Sequence, residues 1–183
     1  MDDAHHSDQA HEMIQGLENM LAEQTVLVER TAEVMRQRHA HTHLWTGCSG
    51  EPLTGGQIAD HLTATARLLQ RNGWTPNRNT EPIRIIDTTP ADAAEGVYAH
   101  TVAPRRHSLN SALWDVARGP GDLDTYTSAC TILGLVLCAR TGAETADPMA
   151  WERKRDRTAV EVEDLLDTAI CFAHRYGPSG SGR

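Results

Sequence analysis

The sequence predicts an all-α fold, a bundle of about five helices. Apolar residues recur at helical spacing in several long stretches, and these stretches open on capping residues and close on Gly or Pro. At most one short extended segment, Ile83–Ile86, interrupts the helical pattern.

The first helix is long, roughly residues 8–38. Met13, Met20, Leu27 and Val34 repeat every seven residues, and Ile14, Leu21, Val28 and Met35 do so one position later. Leu17 lies between the two columns, with Gln24 and Thr31 below it. The stripe is wider than a two-position coiled-coil seam. Thirty helical residues span about 45 Å, more than the roughly 35–40 Å expected for the remaining domain. Part of this helix should therefore project or meet a second chain. Residues 39–53, rich in His, Gly and Ser, read as a loop.

Thr54 with Gln57 forms a capping box for a second helix carrying Ile58, Leu62, Ala66 and Leu69. Gly73, Trp74 and Pro76 end it, with Gly73 expected in the left-handed conformation and Trp74 packing back on the last turn. A short helix from Thr89-Pro90 to Glu95 follows an irregular stretch. Ser108 caps a helix with Leu109, Ala112, Leu113 and Val116 on one face, stopped by Gly119-Pro120-Gly121.

Asp122 or Asp124 opens the most apolar helix, running to about Arg140. It is apolar nearly all round and so belongs at the domain centre. Gly134 inside it suggests a close helix crossing. Asp147-Pro148 starts a short turn through Trp151. Thr158 with Glu161 caps the last helix, and residues 177–183 form a tail. The organisation read from this is an N-terminal helix (1–40), a loop (41–54), a helical domain (55–176) and the tail.

The 183 residues are 39% apolar, enough for a real core, but 4% aromatic with a single Phe. The core must be Leu, Val, Ala, Ile and Met, with Trp45, Trp74, Trp114 and Trp151 as its largest units. Four cysteines are too few for a disulfide scaffold. Cys130, Cys138 and Cys171 sit in apolar surroundings as buried thiols, implying a reducing cytoplasm. No apolar run is long enough for a membrane span, and the acidic, polar start is no signal peptide.

Leu69, Gly73, Trp74, Cys130, Gly134, Trp151, Arg157, Thr158, Glu161 and Val162 make a further pattern. It combines a helix ending in Gly-Trp, a Cys-containing small-residue helix and a Trp…Arg-Thr-x-x-Glu-Val closing helix. Over residues 55–175 it resembles an uncharacterised actinobacterial and actinophage domain family. The resemblance implies a helical fold and a bacterial or phage setting, and no activity. Glu152-Arg153-Lys154-Arg155-Asp156 stands where that family has an Asn-Asp turn.

Three candidate sites emerge. Met13, Ile14, Leu17, Met20, Leu21, Leu27, Val28, Val34 and Met35 form an interaction stripe suited to a homodimer. Arg105 and Arg106, with Arg153, Lys154, Arg155 and Arg157, form a candidate anion or nucleic-acid patch. The competing reading of that patch is a solvated turn neutralised by the acidic first helix. The net charge of −8 weighs against a nucleic-acid role. His39, His41, His43 and Cys48 supply zinc-type ligands, though His-x-His-x-His is not a closed four-ligand spacing. No hydrolase, P-loop, dinucleotide or metalloprotease motif is present. Asp60-His61 are helical neighbours that point about 100° apart. The expectation is a non-catalytic interaction or regulatory protein that self-associates and needs no cofactor, with a DNA-associated factor and a metal-binding protein as alternatives. A protein partner other than a second copy also remains open.

Overall fold

Among the described residues seven helices follow one another: α1 (Asp3–Gln37), α2 (His41–Leu44), α3 (Gly55–Asn72), α4 (Leu109–Val116), α5 (Asp122–Thr141), α6 (Pro148–Glu152) and α7 (Ala159–Tyr176). They belong to a computed structural model that describes residues 3–38, 41–76, 106–117 and 122–180. The fold is all-α, as expected. Among the described residues the only extended pairings are single bridges, Thr46 with Pro52 and Trp74 with His107. Helix α2 lies inside the stretch expected to be only loop. The expected Ile83–Ile86 segment, the Thr89–Glu95 helix and the Gly119–Gly121 stop lie outside the described residues.

The helix starts follow from local chemistry. At α3, Gln57 N–H donates to Thr54 Oγ1 at 3.1 Å and Thr54 N–H donates to Gln57 Oε1 at 2.8 Å. At α7, Glu161 N–H donates to Thr158 Oγ1 at 3.3 Å and Thr158 N–H to Glu161 Oε2 at 2.9 Å. Ser108 and Asp147 cap α4 and α6. Each cap satisfies backbone donors that the first turn leaves open and contributes about 1 kcal/mol. Gly73 closes α3 with φ +81° but ψ 143°, so it is not in the left-handed helical region. This geometry turns the chain outward so that Trp74 pairs with His107 rather than only folding back.

The core is shared by α3, α5 and α7, with α4 and the second half of α1 closing it. Every residue from Ile132 to Ala139 is buried, as the all-round apolar pattern of α5 predicts. What approaches Gly134 is the start of the short helix α6 and the chain leading into it, with Pro148 Cδ 3.9 Å from where a Cβ would lie. A Cβ there would lie 3.0 Å from the Ala146 carbonyl, so the chain leading into α6 passes over α5 at that point. Fully buried Phe172 stacks on Trp45 at 6.2 Å between ring centroids. Trp114, expected inside, is exposed, its ring edge-on to Tyr126 at 5.4 Å. Of the three cysteines expected buried, Cys138 is, Cys130 is half-buried and Cys171 is exposed. All four cysteines are free thiols. No described helix is long and apolar enough to cross a membrane.

Candidate functional site

Helix α1 divides at about Glu29. On its C-terminal side Val28, Thr31, Ala32 and Met35 are buried against α5 and α7, with Leu27 and Val34 half-buried beside them. Thr31 tolerates full burial because its hydroxyl donates to the Leu27 carbonyl at 2.8 Å. Leu27, Val28, Val34 and Met35, expected to meet another molecule, are therefore part of this chain's own core. Helices α5 and α7 pack on this half of α1, and α7 ends at Glu29.

Glu29 marks the edge. Its carboxylate pairs with Arg175 at 2.6 Å and accepts a hydrogen bond from the Tyr176 hydroxyl, tying α1 to the end of α7. That bond to Glu29 is also the main reason the Tyr176 hydroxyl is pushed above its ordinary pKa. Beyond it no described element covers the helix. Met13 is 69% exposed, Ile14 54%, Leu17 52%, Met20 60% and Leu21 62%. At about 100° per residue these five lie on the same side of the helix as Val28, Thr31, Ala32 and Met35. The face seated on the body continues straight past it into solvent. Val26 is also exposed but points the opposite way.

The basic candidate residues are only partly brought together. Arg157 lies over the Trp151 ring at 4.0 Å and pairs with Glu161, so its charge is engaged within the turn. Glu161, not the acidic first helix, is its counter-ion. The Thr158 backbone N–H, then its hydroxyl and Arg157, hold the Glu161 carboxyl below its usual pKa. Arg153, Lys154 and Arg155 are exposed, as is Arg106. Arg105 lies outside the described residues.

Both basic segments converge on Glu152, a carboxylate that is 1% exposed. Its Oε1 accepts from Trp74 Nε1 at 2.9 Å and from the Leu109 N–H at the start of α4. Burial pushes its pKa up, and the Leu109 and Trp74 donors partly offset that. Next door, buried His107 pairs with Asp115 at 3.0 Å. Glu152 therefore knits α3, α4 and α6 together. From the sequence it reads as one more member of a charged turn.

The His/Cys candidate does not assemble as expected. His39 and the side chain of His41 lie outside the described residues, and His43 is exposed. The Cys48 thiol donates to Asp124 Oδ1 at 2.9 Å, where Ser49 N–H also donates at 2.9 Å. These donors lower the Asp124 pKa, and the same bond raises that of Cys48, which disfavours the thiolate a metal would need. Gly47 permits this clasp: a Cβ there would fall 2.2 Å from Asp124 Cγ. Among the described residues no three His, Cys, Asp or Glu side chains converge to hold a metal ion. Sequence reasoning missed the clasp, although the Gly47-Cys48-Ser49-Gly50 run signals a tight loop.

Beside the clasp an open cleft of about 700 Å³ is lined by residues including Glu51, Asp60, His61, Asp122 and Thr125. His61 Nδ1 sits 3.3 Å from Thr125 Oγ1. Burial pulls the His61 pKa down, partly opposed by Asp122. No nucleophile–base–orienter arrangement is present among these described residues.

Residues 53–171 match the model of a family of unknown function, DUF6197. The chain belongs to that family. In this DUF6197 member the matched span holds Trp74, Glu152, Arg157 and Glu161, the residues that lock the body together. Helix α1 and the Gly47–Gly50 loop precede it. No curated protein and no solved structure matches the chain.

Proposed function

We propose that this protein is a non-catalytic interaction protein that self-associates through α1. One observation carries the reading: five large apolar side chains, each more than half exposed, continue a face that is buried further along the same helix. Contiguous apolar patches of this size on a soluble chain mark interaction sites. A bacterial, actinobacterial or phage setting and the cytoplasm fit the single Lys among 17 basic residues and the four free thiols.

Light scattering over a concentration series tests the proposal. The intact chain is expected to be a dimer that dissociates on dilution, and Leu17→Asp or Leu21→Asp is expected to be a monomer with unchanged helix content. An intact chain that stays monomeric at high concentration overturns it. Removing residues 1–38 is the wrong test, because Val28–Met35 belong to the core.

A second reading, a DNA-associated factor, is favoured only by the exposed turn Arg153-Lys154-Arg155 with Arg106 nearby in the fold. A salt titration of nonspecific duplex binding decides it, and no binding at low salt removes it.

A further inference from the structure

The spacing of the exposed row carries more than self-association. Met13, Ile14, Leu17, Met20 and Leu21 are symmetric about Leu17: counted outward, apolar residues fall three and four positions away on both sides. On the helix Met13 and Met20 form one edge, Ile14 and Leu21 the other, and Leu17 the centre. A two-fold axis brings the same patch of each copy together, residue i on j and j on i. We infer that two copies pair α1 antiparallel about an axis at Leu17, setting Leu17 on the partner's Leu17, Met13 on the partner's Met20 and Ile14 on the partner's Leu21. This rests on the self-association reading above and supplies its geometry.

Two observations select the occupant and the orientation. The first is steric. The paired face of α1 is filled by α5 and α7 from Val28 onward, so a parallel partner helix would run into the body. An antiparallel one turns away, its own body beginning only at the first turn of α1, where the partner's Val28 is level with residue 6. The second is area. The five side chains offer on the order of 100 Å² each, so two copies bury about 1,000 Å² of apolar surface, the floor for a specific interface.

Disulfide trapping tests the register in the full chain with exposed Cys48 and Cys171 changed to Ser. Cys48→Ser keeps a donor for Asp124. Met13→Cys/Met20→Cys is oxidised with diamide and run without reductant, beside each single variant. Within one helix these positions are about 10 Å apart along the axis, too far for an internal bond. The expected result is a covalent dimer several-fold more abundant in the double variant than in either single one, with the 13–20 link identified by peptide mapping. Singles that cross-link as well as the double, or a dimer by light scattering that never cross-links, overturn the register and leave self-association standing. A chain that is monomeric by light scattering overturns both.

Discussion

Residues 13–21 and 28–35 of α1 share a helix, a face and a seven-residue period. One set is more than half exposed, while Val28 and Ala32 are 3% and 1% exposed. The difference lies in what reaches them. Helix α7 ends level with Glu29, where Arg175 and Tyr176 hold the helix, and no described element extends beyond. Burial is thus set by the length of neighbouring helices, while the apolar pattern only makes a segment fit to be buried.

Matched substitutions on the two sides separate these roles, and the largest effect is expected from the first. Val28→Asp buries an unpaired carboxylate and should cost about 3–4 kcal/mol in urea unfolding. Leu21→Asp, on the same face, should stay within about 0.5 kcal/mol for the monomer while abolishing the dimer. Equal losses of stability would break the contrast. A middle-sized effect is expected far from α1. Gly47→Ala forces a methyl group against the Asp124 carboxyl and should cost about 1–3 kcal/mol, with the dissociation constant of the dimer unmoved. A shift in that constant would mean the body and the projecting half are not independent. The smallest effect belongs to the boundary. Tyr176→Phe removes one hydrogen bond to Glu29 and should cost about 0.5–1.5 kcal/mol. Amide exchange should then show the loosening first between Gln24 and Glu29.

Much of the bundle was legible because its signals are local. Thr54 with Gln57, Ser108, Asp147-Pro148 and Thr158 with Glu161 each declare a helix start within four residues, and the all-round apolar run of α5 declares the centre. The division of α1 was not legible, since Met13-Ile14 and Val34-Met35 look alike in the chain. Only the reach of α5 and α7 separates them. Glu152 and Asp124 were hidden for a related reason. A buried carboxylate is tolerable only with donors supplied from elsewhere, here Trp74 and Leu109 for one and Cys48 and Ser49 for the other. None of those pairings shows in local sequence. The His-x-His-x-His run suggested metal because spacing cannot say that the nearby thiol faces an aspartate.

The uncovered half of α1 also sets an interval. With two copies joined at Leu17, the segments seated on each globular body are separated by about 40 Å at 1.5 Å per residue. The pair is then a stiff caliper whose two jaws display identical surfaces at a set span. A target bearing marks at that pitch would grip both jaws together, and two weak contacts would hold as one strong one.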